Sequence, residues 1–360
     1  MGVESIIKLI TSKGLLSQTE ELMQFSNISS SELKILESEW VCWDDIVTCS
    51  FISMLYQLFE NKIGATFDSI FKRGLTHPSS VVRIYCLLAI SNTSDKTLIK
   101  ILCRILDSDL DQNVSGVAAE VMSNFCEMAL NDKLTKRDNS LIRSKLKTLV
   151  KSCRLDNQNR IKALKAVSVF NDSEMDHYIN FFYSSTDTSE KQASILSMGR
   201  TSNPKWLIYV RESLFDSSAR IRIEAINAFS ELCDVEMADE LTELIDDTEL
   251  SVQLATILSL KKIGGKKSIT LLIKSLKNPE PEVISASIDS LRFISQEDNV
   301  DLNLFNESNE LGKKKNPSEK EDNVFNGDWS TLTIKSSEEQ NELDPFIDVS
   351  EVDDFWDRNN

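Results

Sequence analysis

The sequence predicts an all-α protein: an α-solenoid of stacked helical hairpins, with an N-terminal helical cap and a disordered acidic C-terminal tail. Three observations carry this. Only 10 Gly and 6 Pro occur in 360 residues, which suits helices and not a turn-rich β fold. Small and apolar residues recur in columns 31 residues apart, the mark of a repeat array. The periodicity stops near Gln296, and residues 296–360 hold 18 acidic against 6 basic groups.

Residues 1–64 read as helical without a clean repeat. Ser29-Ser30-Ser31-Glu32 offers N-cap chemistry ahead of Leu33, Leu36 and Trp40, and Cys49 to Phe59 is strongly apolar. The segment is expected to cap the open end of the first repeat; a separate small domain is the alternative.

Residues 65–295 are expected to form about seven hairpins. The columns are clearest from Arg220 onward. Ile221, Val252 and Val283 share one; Ala225, Thr256 and Ser287 a second; Ala228, Ser259 and Ser290 a third; Phe229, Leu260 and Leu291 a fourth. The columns end at Leu232, Ile263 and Ile294, and Ala163, Ala166, Val167 and Phe170 continue them upstream. Earlier copies lie at Val82 to Ile90, Val114 to Phe125 and Ala193 to Gly199. Each unit reads as an amphipathic first helix, such as that carrying Leu271, Leu272 and Leu276. A turn with Asp109, Asp216, Asp247 or Asn278 follows, and then a second helix whose small residues permit close approach. Gly199 and Gly264-Gly265 are placed to end second helices, and Pro204 to begin a first one. One hairpin cannot bury its apolar face alone, so neighbours must stack on it.

The turn residue, then Val-Arg or its equivalent, then spaced alanines and a terminal Leu-Gly resemble HEAT repeats. The stretch from about Leu15 to Ile294 is similar to a family of uncharacterised bacterial HEAT-repeat proteins, related to the repeats of phycobiliprotein lyases. The resemblance rests on Leu33 to Trp40, Phe67 to Phe71 and, most specifically, Ser197-Met198-Gly199-Arg200-Thr201-Ser202-Asn203-Pro204-Lys205-Trp206. It implies the fold and single-chain layout, and no activity. In HEAT arrays the column Arg commonly pairs with the turn Asp of a neighbour. Here Arg83, Arg160 and Arg222 keep it, whereas Ser115, Glu190, Gln253 and Ile284 replace it. A broken ladder and non-uniform stacking of the last repeats are therefore expected.

Residues 296–360 are too polar to offset chain entropy by burial. Their end interleaves acids with large apolar groups, and Phe346, Ile347, Val352, Phe355 and Trp356 form a candidate binding motif. Of the net charge of −17, the tail carries −12 and the body −5.

The composition excludes several functions. No run of 18 apolar residues exists and the first residues lack a signal-peptide pattern, so no membrane span or secretion is expected. Seven cysteines without a C-x-x-C pair read as mostly buried free thiols of a reducing, cytoplasmic compartment. No phosphate-binding glycine loop occurs. His77 and His177 are the only histidines and neither precedes Glu, so the His-Glu iron ligands used by deoxyhypusine hydroxylase, another HEAT-type family, are missing. No catalytic residue, metal site or cofactor is expected.

The sharpest surface feature is a charge contrast. Residues 132–165 hold 11 basic and 3 acidic groups, whereas residues 231–249 hold nine acids and no Lys or Arg. Arg143, Lys147, Lys151 and Arg154 share one helix face, with Lys162 and Lys165 on the next helix; together they form a candidate binding patch. The expected function is a non-catalytic protein–protein interaction scaffold that grips an unidentified partner on its concave, second-helix surface. An enzyme or accessory resembling bilin-attachment lyases, and a nucleic-acid scaffold using the basic stripe, are alternatives. Nucleic acid is disfavoured by the acidic body and tail. Docking of the tail on its own body stays open.

Overall fold

The structure is a computed structural model that describes residues 2–13, 19–40, 42–60, 66–153 and 155–298. The acidic segment, the candidate residues Phe346, Ile347, Val352, Phe355 and Trp356, and any docking of the tail lie outside the described residues. Residues 1–298 form one compact unit. All regular structure among the described residues is helical, and the fold is an α-solenoid.

The chain opens with α1 (Val3–Lys13), α2 (Thr19–Leu22), α3 (Ser30–Trp40) and α4 (Asp45–Glu60). Hairpins follow: α5 (Asp68–Gly74) with α6 (Ser80–Ala89), α7 (Ile99–Ser108) with α8 (Gln112–Leu130), and α9 (Lys136–Lys151) with α10 (Asn157–Val167). Next come α11 (Asp176–Tyr183) with α12 (Thr188–Arg200), and α13 (Leu207–Ser213) with α14 (Ala219–Leu232). A 3-10 helix (Val235–Asp246) then pairs with α15 (Leu250–Ile263), and α16 (Gly265–Ser275) with α17 (Pro281–Asp298). No helix among the described residues is long and apolar enough to cross a membrane.

The start of α3 is set by reciprocal capping. Ser29 Oγ accepts the Glu32 N–H at 3.3 Å, and Glu32 Oε2 accepts the Ser29 N–H at 3.0 Å, which satisfies two donors that the helix cannot. An aromatic cluster seals this end: Phe51 meets Phe25, Trp40 and Trp43 edge-on. Helix α4 then packs on α6 much as later second helices pack on one another.

Second helices stack in an unbroken row, α6 on α8 and onward through α10, α12, α14 and α15 to α17. First elements pack closely on one another only at α7 with α9 and at the 3-10 helix with α16. The repeat columns explain this asymmetry. Ala163, Ser194, Ala225, Thr256 and Ser287 are all fully buried between second helices, as are Val167, Met198, Phe229, Leu260 and Leu291. The buried hydroxyls find backbone carbonyls, as Ser194 Oγ does at Ile179 O (2.7 Å) and Thr256 Oγ1 at Val252 O (2.9 Å), so burial leaves no unpaired donor there. Gly199 departs from the expected role. Helix α12 continues to Arg200, and the left-handed residue that follows is Ser202 (φ 49°). A Cβ on Gly199 would lie 2.8 Å from Ala228 Cα, so glycine is needed for the α12–α14 approach and not for a cap. Gly264 does end α15, with φ 69°.

The turns carry a second layer of order. Asp109, Asp216, Asp247 and Asn278 each accept the N–H two residues on, at 2.9–3.0 Å, the side-chain mimic of a turn. His77 stands in the same place in the first hairpin, where its Nδ1 accepts the Ser79 N–H at 3.1 Å. The ladder expected to be broken is better conserved than its arginines. Arg83 forks onto Asp109 at 2.7 and 2.8 Å, and Arg222 onto Asp247 at 2.7 and 2.9 Å. Where Glu190 occupies the column, Lys191 reaches Asp216 at 2.5 Å instead. Where Gln253 and Asn278 replace both partners, the Asn278 amide donates to Gln253 Oε1 at 3.1 Å. The last repeats therefore stack on a neutral rung. The interruption lies in the middle: Arg160 donates to Val150 O and Asn157 Oδ1 and stacks among Tyr178, Phe181 and Phe182.

The thiols also differ from expectation. Cys86, Cys103 and Cys126 are buried, but Cys42 and Cys153 are exposed; all seven are free.

Candidate functional site

Helix α9 begins at an N-cap, Thr135, whose Oγ1 accepts the Asp138 N–H at 3.1 Å. Its apolar face buries Ile142, Leu146, Leu149 and Val150. Its polar face lines a surface groove of about 590 Å³, bordered by Lys136, Asn139, Arg143, Lys147, Lys151 and, from across the gap, Glu174. The groove lies where α9 and α11 do not close on each other.

Three of the candidate patch residues meet here. Lys147 pairs with Asp172 and with Glu174 (3.0 Å), Lys151 pairs with Glu174, and Arg143 lies 3.6 Å from Asp172. The Arg143 guanidinium also stacks 4.7 Å above the Phe170 ring. The hydrogen bond from Lys147 pulls the Asp172 carboxyl below its usual range, and that from Lys151 does the same for Glu174. In turn the bond to Asp172 holds the Lys147 ammonium above its ordinary value. The other patch residues lie elsewhere. Lys162 and Lys165 sit on α10 and face Glu120 of α8, at 3.6 and 4.0 Å. The geometry thus separates the six into two groups on the two helices of one hairpin, and Arg154 lies outside the described residues.

The charge contrast of the sequence is largely resolved into pairs between neighbouring units. Of the acidic stretch, Glu240 forks onto Arg211 (2.6 and 2.7 Å), Asp239 meets Lys267 (2.7 Å), Asp246 meets Lys274 (3.0 Å) and Glu231 meets Lys262. Asp172, Glu174 and Lys191 are missed by a reading that sums charge over segments. The available signal is spacing, since these partners lie 23–31 residues apart, near the repeat length.

On the second-helix layer, Glu224 of α14 stands 3.4 Å from the Gln192 amide, and burial pushes its carboxyl up. Arg200 reaches back to Ser123 (2.8 Å) and Glu127 (3.1 Å) of α8. Among the described residues no group of His, Cys, Asp and Glu is arranged to hold a metal. His77 is half-buried against Trp40, and His177 is exposed.

Residues 176–261 match the family model for HEAT repeats. No curated protein matches the chain significantly. Among solved structures, an engineered protein is 15% identical over 81% of this chain and 88% of its own, with a TM-score of 0.40. Human deoxyhypusine hydroxylase is 11% identical over 82% of this chain and 97% of its own (TM-score 0.32). Importin beta is 11% identical over 82% of this chain and 51% of its own (TM-score 0.35).

Proposed function

This chain is a HEAT-repeat α-solenoid, and from that premise we propose that it is a non-catalytic scaffold that holds a protein partner on its second-helix layer. The tighter packing of second helices bends the stack toward them, which makes their layer the concave one. One observation supports the reading above others. The column Ala166, Ser197, Ala228, Ser259, Ser290 is uniformly small and buried. The residues immediately before it are Lys165, Leu196, Asn227, Leu258 and Asp289, which share no chemistry; the last three are exposed. An array whose packing positions repeat while its adjacent surface positions diverge presents a specific, extended face.

The test is affinity capture with the full chain from its native source. The triple variant Asn227→Arg, Leu258→Glu, Asp289→Arg should lose a reproducibly captured protein while keeping its helical content and melting temperature. Recovery of no reproducible protein, together with turnover of a small molecule by the purified chain, would overturn the reading. A nucleic-acid role has less support, because Arg143, Lys147, Lys151, Lys162 and Lys165 all have carboxylates beside them.

A further inference from the structure

The groove along α9 is unlike the rest of the outer surface. Its lining holds four cations, Lys136, Arg143, Lys147 and Lys151, against one carboxylate, Glu174. Lys136 has no carboxylate partner among the described residues. The lining is otherwise polar, with Asn139 and the hydroxyls of Ser140, Ser144 and Thr148. Beneath it lies only Asp172, already shared by Arg143 and Lys147. The site therefore keeps a positive excess after its internal pairs are formed.

Spacing narrows the ligand. Arg143, Lys147 and Lys151 follow at i, i+4 and i+8 on one helix, so they rise about 6 Å apart. In an extended peptide, side chains on one face recur every two residues, about 6.6 Å apart. The two rows match closely over a few steps. From Lys136 to Lys151 the helix spans about 22 Å, the length of six or seven extended residues. Glu174 already occupies one such position: it reaches from the facing hairpin to Lys151 and Lys147 by its carboxylate, and its side chain is 48% exposed.

We infer that the α9 groove is a docking site for an extended peptide of a partner protein carrying Asp or Glu at alternate positions. Glu174 is the internal competitor that such a peptide displaces. The peptide's acids meet Arg143, Lys147 and Lys151, and its intervening polar side chains face solvent. A continuous phosphate chain fits less well, because Asp172 and Glu174 face the same cations without a neutral gap.

The experiment uses the full chain and a fluorescein-labelled nonapeptide of alternating Glu and Thr, read by anisotropy at low salt. A peptide of the same composition with its acids in one block is the first control, and a single-stranded oligonucleotide the second. The alternating peptide should bind, and Arg143→Glu with Lys151→Glu should weaken it at least tenfold. Glu174→Gln should tighten it about two- to fivefold, the scale of losing one exposed competing ion pair. That gain distinguishes docking here from attraction to the basic hairpin in general. Equal binding of the block peptide, tighter binding of the oligonucleotide, or no gain from Glu174→Gln overturns the proposal. None of these outcomes bears on the concave-face scaffold, which capture experiments test separately.

Discussion

Gln253 and Asn278 hold each other as Arg222 and Asp247 do, with the charges removed. Arg222 spans two turns: its fork grips Asp247, and its remaining amino group donates to Asp216 O and Ser217 O. Gln253 makes the same two connections with one donor and one acceptor. Its amide donates to Asp247 O at 2.6 Å, and its oxygen accepts from Asn278 at 3.1 Å. What the array requires at this point is a bridge between turns, and either chemistry supplies it.

Arg222→Gln should therefore destabilise the protein by about 1.5–3 kcal/mol, because it leaves the Asp247 carboxylate, 10% exposed, without its cation. Adding Asp247→Asn recreates the Gln–Asn rung and should restore most of that loss. Urea unfolding of the four proteins of this cycle measures the coupling. Additive losses would show that the bridge is not what the two positions share.

Gly199→Ala should destabilise by about 1–3 kcal/mol through overpacking, despite the roughly 1 kcal/mol that Ala gains over Gly in a helix. The new methyl would meet the backbone of Ala228, which cannot swing aside as a side chain would. Thermal unfolding checks the sign. A neutral or stabilising result would mean that α12 and α14 separate at little cost.

His77 should make stability depend on pH. Burial pushes its imidazole below its ordinary value, with Arg83 acting in the same sense and Asp45 opposing. Its Nδ1 accepts the Ser79 N–H, and an imidazolium has no lone pair to do so. The folded state thus favours the neutral ring. This contribution is complete above the unfolded value of about 6.5, and is lost as pH falls from there toward the lower folded value. His77→Asn keeps a turn acceptor of the kind Asn278 provides, so it should flatten the fall in melting temperature between pH 7.5 and 5.5. An unchanged slope would locate the dependence elsewhere.

Much of the fold was legible because its packing positions recur. Ala225 and Phe229 announce their buried roles by what stands 31 residues away. The rungs were legible only where arginine marked them. Lys191 escapes a column reading because its chain is long enough to reach, from one position later, the carboxylate that Arg would take. Gly199 was read as a helix end because glycine serves both that role and close approach, and only the position of Ala228 decides between them. The basic run was legible as charge, yet its partners at Asp172 and Glu174 come from the next unit in the stack, so the groove between them has no local signal.

The turn at Asp216 and the turn at Asp247 are interchangeable in their surroundings: each takes a cation from 25 residues before it and caps the residue two after it. Excising residues 217–247 would join Asp216 to Thr248 and leave each surviving side chain facing a partner of the kind it had. A chain built this way can grow or shrink by whole copies of a unit while tolerating little change within one. Duplication of its coding segment is thus a path by which its length, and the reach of its surface, can evolve.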